Sequence, residues 1–353
     1  MVLLGHARET MPPYLTDNSL FRLISNSSLG VSIFFVISGY LITRLLIKER
    51  VKTGAVNVKD FYMRRIYRIF PVFYLYILVV LLLKYFFIHN IFSDYSLVKY
   101  AGLYLWNYKH LFSSFASPDN GFWFFGHFWS LSIEEQFYIF WPLMFIKTKK
   151  ASLKKALIGM LITIPLLRII TYLFMPESRG QIGIMLHTGG DAILLGCLGA
   201  IIENSRRFKE SILVHLERTK LIASVAAFLF ILSPILSFYL KGAYNLTIGM
   251  TLNNISVMTL IFWSIYIPSK IADMLNTKPL MYIGILSYSL YIWQQLFLTN
   301  VYHSWIYHFP QNLLLVFVVA AISYHLIEKP ILNLNKRASK PENKLRRPVP
   351  ILK

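Results

Sequence analysis

An all-α fold is predicted for this chain: a polytopic helical bundle integral to a membrane, with about ten transmembrane helices and the first of them cut short. Three observations carry that prediction. Apolar runs near twenty residues recur along the chain, and a helix needs about 20 residues to cross about 30 Å of hydrocarbon. Hydrophobic residues make up 56% of the 353 and charged residues only 15%, where a soluble domain carries about a quarter. Basic residues concentrate in alternate connections between the runs, as the positive-inside bias of membrane proteins requires.

The runs place spans at 28–47, 69–89, 123–146, 156–175, 183–203, 220–240, 247–268, 279–299 and 311–330. The aromatic stretch 100–108 is too short to cross and reads as interfacial or re-entrant. Tyrosine and tryptophan, 22 and 7 in number, suit the two interfacial belts. The single cysteine, Cys197, lies in an apolar run and reads as inert packing.

Charge fixes the orientation. Segments 48–68, 147–155, 204–220, 269–278 and 329–353 hold 27 of the 36 lysines and arginines, and the intervening connections hold six. The first set is therefore expected to face the cytoplasm, the C-terminus with it. The net charge of +20 is accounted for by these loops, so no nucleic-acid partner is expected. Parity then requires a crossing before residue 8. The opening MVLLGHA spans only about 10 Å as a helix, so about 15–20 residues of a first helix are expected to be missing; a translocated N-terminal stub is the alternative. The expected organisation is a membrane-embedded domain over 1–330 and a short basic cytoplasmic tail over 331–353.

Several polar groups sit where an apolar run makes them costly. His6 ends the opening run, and an imidazole that titrates near neutrality can take a proton from a hydroxyl; a structural interfacial histidine is the plainer reading. The segment 126–142 carries His127, Ser130, Glu134 and Glu135. His127, Ser130 and Glu134 share one face if the helix has begun by His127. Glu134 could orient a histidine, bind a sugar hydroxyl or carry a proton, and Ser130 could cap a helix. Glu135 points about 100° away. On the cytoplasmic approach to the second span, Arg64, Arg65 and Arg68 offer paired donors suited to phosphates; lipid headgroups or plain anchoring would use them equally well. Arg44 could snorkel or join them. Ser38–Gly39 interrupts the first full span, and small residues there allow close helix contact. Asp191 opens the fifth. GILSYSLYIWQQLF, 284–297, is polar for a span, and its polar groups are expected to face the bundle interior. No HExxH, cysteine pair, Walker glycine loop or GxSxG elbow occurs, so no metal site, bound ATP or serine-hydrolase elbow is expected.

Taken together, GHA (5–7), FFVISGYLIT (34–43), RRIYRIFP (64–71), HFWSLSIEEQFYIFWPL (127–143), DAILLGCLGA (191–200), GILSYSLYIWQQ (284–295) and YHLIEKP (324–330) resemble the membrane-bound acyltransferase 3 family, the bacterial polysaccharide O-acyltransferases. The segments follow family order over nearly the whole chain. The resemblance implies a multi-pass protein of the bacterial inner membrane that transfers an acyl group, usually acetyl, from acyl-CoA to a hydroxyl of a cell-surface polysaccharide or glycolipid precursor. Membrane lipid, the acceptor glycan and acyl-CoA are then its partners, acyl-CoA is a cosubstrate, and no cofactor is permanently bound. It implies His6 and Glu134 as catalytic residues, Arg65 and Arg68 as the acyl-CoA site, and His127 and Ser130 as substrate contacts. Two features depart from the family. Its arginine or lysine eleven residues before the histidine would precede Met1, and Gln294 stands where many relatives have histidine. A transporter for a lipid-linked sugar or acyl metabolite is the rival reading, since buried polar groups behind a basic mouth serve transport too.

Overall fold

The computed structural model describes residues 1–112, 120–302 and 304–338, the side chains of 335–338 excepted. Most of the basic tail expected at 331–353 lies outside the described residues. The described residues are 84% helical, with no strand among them. The short α1 (Val2–Ala7) is followed by α2 (Ser27–Thr53) and α3 (Val58–Phe86). Then come α4 (Phe128–Lys147), α5 (Lys150–Phe174) and α6 (Asp191–Glu203). The second half holds α7 (Thr219–Ala227), α8 (Ser233–Tyr244), α9 (Met250–Tyr266), α10 (Lys278–Trp293), α11 (Gln311–Ser323) and α12 (Lys329–Ala338).

Caps explain where α2 begins and ends. The Asn26 side chain accepts from the Leu29 N–H at 3.0 Å, which satisfies one of the orphan donors of the first turn. At the other end Gly54 adopts φ 78° and its N–H returns to Arg50 O, the left-handed stop that glycine supplies without steric cost. Asn57 repeats the N-terminal device on α3.

Among the described residues, five helical segments are long and apolar enough to cross a bilayer: Ser19–Thr53, Val58–Phe86, Lys150–Phe174, Thr219–Tyr266 and Gln311–Leu334. That is fewer than the nine complete spans expected, and each difference has a local cause. The expected span 123–146 is broken by a turn at Gly126–His127, and α4, begun at Phe128, carries two glutamates in its first half. The span 183–203 divides into a 3₁₀ segment Pro176–Ile184, a turn of helix Leu186–Gly189 and the 13-residue α6, with Gly189–Gly190 at the break. The span 279–299 tightens to 3₁₀ geometry at Gln294. The spans 220–240 and 247–268 form one 48-residue segment. It doubles back at Lys241, whose φ of 46° and ψ of −124° leave the helical region, so that α7 packs on α9. The stretch 100–108 does not cross, as expected: Ser96–Gly102 is helical and Trp106–Leu111 forms a 3₁₀ turn on the flank of α4.

The centre of the bundle is the crossing of α2 and α6. A Cβ on Gly39 would stand 2.0 Å from Ile193 O, and one on Gly196 would stand 2.1 Å from Val36 O. The two backbones touch because neither glycine carries a side chain, which is how helices gain packing in lipid. Phe35, Phe73, Tyr76, Phe128 and Trp141 fill the surrounding core, while Leu41, Leu45, Leu78, Leu82 and Ile162 point outward. Beside this core lies a buried ion pair. Arg168 NH2 on α5 is 2.6 Å from Asp191 Oδ1 on α6. Arg168 Nε also donates to Thr188 O, and Thr251 of α9 donates to Asp191 Oδ2 at 2.8 Å. Three helices are thereby held through one charge pair.

Candidate active site

The polar groups predicted from sequence fall into two clusters, stacked along α4 and α10. The outer one begins at His6. Its Nδ1 is 3.1 Å from Oε1 of Gln294. The Gln294 amide is oriented independently, because its Nε2 donates to Tyr291 O at 3.1 Å. The oxygen therefore faces the ring, and an amide oxygen only accepts. Nδ1 must carry the proton, which leaves Nε2 with a free lone pair in the neutral imidazole. The Trp123 ring braces His6 edge-on at 5.8 Å between centroids.

His127 is held in the same way by the next residue. Its Nδ1 lies 2.6 Å from Gln295 Oε1, and that oxygen also accepts from the His127 backbone N–H. The backbone donor settles which end of the amide faces the ring. Trp123 Nε1 donates to Gln295 O at 2.9 Å, so one indole steadies both arms. Ser130 Oγ donates to His127 O and lies 2.5 Å from Tyr291 Oη. His127 is 2% exposed and its Nε2 has no hydrogen-bond partner among the described residues.

The inner cluster is built around Glu134, one turn further along α4 from Ser130. Its Oε1 accepts from Ser38 at 2.5 Å and from Tyr138, and Ser38 and Tyr138 lie 2.6 Å apart. Ser38 reaches the carboxylate because Gly39 brings α2 into the middle of the bundle. The Arg65 guanidinium sits 5.1 Å above the Tyr138 ring and 5.8 Å from that of Phe61. Arg65 and Arg68 supply the cationic field around Glu134. The field of Arg68 also reaches Glu328, which accepts from Ser289.

The structure thus brings His6, His127 and Ser130 together, and Glu134, Arg65 and Arg68 together. Glu134 hydrogen-bonds neither histidine; two hydroxyls hold it and two amides orient the rings. Arg64 stands apart, paired with Glu49 at 3.1 Å. Arg44 pairs with Glu203 at 3.5 Å. Of the polar residues expected to face inward on α10 and its extension, Ser289, Gln294 and Gln295 are buried and Ser287 is exposed. Gln294, Gln295, Tyr291, Ser38 and Tyr138 were not singled out by sequence as site residues. The signal available was the polarity of 284–297 and of Ser38 inside apolar runs.

A helical bundle with apolar outer faces and a polar line along its interior is a multi-pass membrane protein. Its family is specific: the acyltransferase-domain family matches residues 1–327, and the chain belongs to it. Among curated relatives, the O-acetyltransferase OatA of Staphylococcus aureus (strain NCTC 8325 / PS 47) is 30% identical over 329 residues, covering 87% of this chain and 53% of that protein. The putative peptidoglycan O-acetyltransferase YrhL of Bacillus subtilis (strain 168) is 28% identical over 341 residues, 90% of this chain and 52% of its own. A putative O-acetyltransferase of S. aureus (strain COL) is 32% identical over 331 residues, 87% of this chain and 53% of its own. The chain spans about half the length of these relatives. No solved structure matches it significantly.

Proposed function

We propose that this protein transfers an acetyl group from acetyl-CoA, or another acyl group from its acyl-CoA, to a hydroxyl of a cell-envelope polysaccharide. Peptidoglycan, for which the B. subtilis relative is named, is the first acceptor to test. The observation that carries the reading is the fixed pair His6–Gln294, because it leaves Nε2 of His6 as an unprotonated base in a polar enclave of an apolar bundle. The acceptor hydroxyl loses its proton to that nitrogen and its oxygen attacks the thioester carbonyl. The C–S bond breaks, the CoA thiolate recovers the proton from the imidazolium, and an ester remains on the sugar.

The other residues take roles that fit their surroundings. Arg65 and Arg68 hold the phosphates of acyl-CoA at the basic end, where planar guanidinium groups give paired donors. Glu134, fixed by Ser38 and Tyr138, is the acceptor of a substrate hydroxyl between the two ends. His127 and Ser130 shape the path from Glu134 to His6. In this reading the membrane-embedded domain is 1–330, in the bacterial inner membrane, and the basic tail 331–353 lies in the cytoplasm.

Membranes carrying equal amounts of wild type, His6→Ala and Glu134→Ala, supplied with radiolabelled acetyl-CoA and soluble peptidoglycan fragments, test this directly. Label enters the glycan with wild type, and the histidine variant is slower by about 10²- to 10⁴-fold, the usual contribution of a positioned base. Equal labelling by all three would remove the assigned chemistry. Uptake of saccharide with no consumption of acetyl-CoA would instead favour transport.

A further inference from the structure

We propose that a cavity beside His6 holds the hydrocarbon chain of the acyl group, so that the protein accepts donors with chains longer than acetyl. The inference rests on the acyl-transfer reading above. The cavity measures about 230 Å³. Val2 and Leu3 of α1, Phe34 of α2, Leu131 of α4 and one face of α10 line it. No step of the chemistry above uses it.

Two helix faces fix where the cavity lies. Val2 and Leu3 stand one turn before His6 on the same side of α1. On α10 and its 3₁₀ extension, the lining residues Ile283, Ser287, Tyr291 and Gln294 recur at helical spacing and share one face. The His6–Gln294 hydrogen bond of 3.1 Å joins the two faces. That bond therefore closes one end of the cavity. From Gln294 the lining stripe runs back to Ile283, about 16 Å along the helix.

An acyl chain begins at the carbonyl carbon that the acceptor oxygen attacks, and that carbon must sit beside the His6 base. A cavity that ends on the partner of this base lies where the chain leads. Its walls select hydrocarbon over the polar parts of either substrate. Tyr288 and Tyr291 line it, but their hydroxyls already donate to Ile69 O at 2.6 Å and His127 O at 2.8 Å. The Gln294 amide is engaged by His6 and Tyr291 O. Ser287 adds one hydroxyl. The amides of a pantetheine arm or the hydroxyls of a sugar would go largely unpaired here, which is costly, whereas methylenes gain by leaving water. Size agrees with this. An apolar cavity of about 150 Å³ stays dry and takes benzene. One of about 230 Å³ accepts a six-carbon chain, and acetyl leaves most of it empty.

The test supplies the full chain in lipid nanodiscs with acetyl-, butyryl- or hexanoyl-CoA and lysozyme-solubilised peptidoglycan fragments. Fragment-dependent thiol release gives KM for each donor. With wild type, each methylene that enters the cavity lowers KM about three- to fourfold. Ser287→Phe puts a ring into the cavity, and Ile283→Trp fills it from the far end. Each brings the KM of hexanoyl-CoA up to that of acetyl-CoA. The donors are compared within one preparation, so the ratio is independent of how much of a variant folds, and either variant suffices if the other is inactive. A wild-type KM that does not fall from acetyl to hexanoyl overturns the cavity and leaves the acyl-transfer reading standing. A fall that persists in the active variants also overturns it, because chain partition into lipid then sets the preference. Thiol release with none of the donors, acetyl-CoA included, removes the acyl-transfer reading and this inference with it.

Discussion

His6 and Gln294 are 288 positions apart in the sequence and 3.1 Å apart in the folded chain. The contact ties α1 to the end of α10 and decides which imidazole nitrogen is free. Gln294→Leu removes the acceptor and frees the ring, and transfer is expected to fall about tenfold with one hydrogen bond lost. Gln294→His restores an acceptor nitrogen at the same place and is expected to retain more activity than the leucine variant. Initial rates of labelled acetyl transfer at matched protein levels check the order.

The Glu134 carboxylate depends on Ser38 and Tyr138. Removing either donor leaves a buried carboxyl group short of a partner in the core, which costs about 1–3 kcal/mol. Ser38→Ala and Tyr138→Phe should each lower the melting temperature of the purified protein. Combined with Glu134→Gln, the penalties should be less than additive, since the three groups form one network. Strict additivity in a double-mutant cycle would show them to be independent.

The Arg168–Asp191 pair gives a sharper asymmetry. Arg168→Met strands a buried carboxylate and is expected to destabilise by about 3–5 kcal/mol, while Arg168→Met with Asp191→Leu should recover most of that loss. Reversible unfolding in mixed micelles would compare the single and double variants. A double variant as unstable as the single one would mean that packing at these positions matters more than charge.

At the α2–α6 crossing, Gly39→Ala and Gly196→Ala each drive a methyl into a backbone carbonyl. Overpacking costs about 1–3 kcal/mol where a core can shift, and backbone contacts shift least. Both variants should lose the monodisperse peak in detergent size-exclusion chromatography. Gly284→Ala, where a Cβ would meet nothing within 4 Å, should elute as wild type.

Much of this molecule was legible in its sequence. His6, His127, Ser130 and Glu134 stand out because polar groups in apolar runs need a reason, and Arg65 and Arg68 because they crowd one end of a span. The partners were harder to see. Gln294, Gln295 and Ser38 are neutral, and the contacts that define them join positions 96 to 288 residues apart, for which hydropathy has no signature. Helix breaks at Gly126–His127 and Gly189–Gly190 were missed for another reason: a window of about twenty residues averages across a two-residue turn. Tyr104 was placed in a non-crossing segment, but its left-handed backbone, φ 54°, follows from the amides of Asn107 and Gln136, the latter donating to Tyr104 O at 2.8 Å, not from local preference.

The doubling-back at Lys241 has a mechanical consequence. Of the most apolar stretch of Thr219–Tyr266, only 17% is buried within the protein, and it is α9 that leans on α2 and α6 while α7 leans on α9. The first arm of the hairpin is therefore a fender between lipid and bundle. A thicker or thinner bilayer is accommodated by helix tilt at a modest cost, and the arm with the fewest internal ties tilts first. Strain from the membrane is spent there before it reaches the line of polar groups between Arg65 and His6, so the interior can keep its spacing in lipids of different thickness.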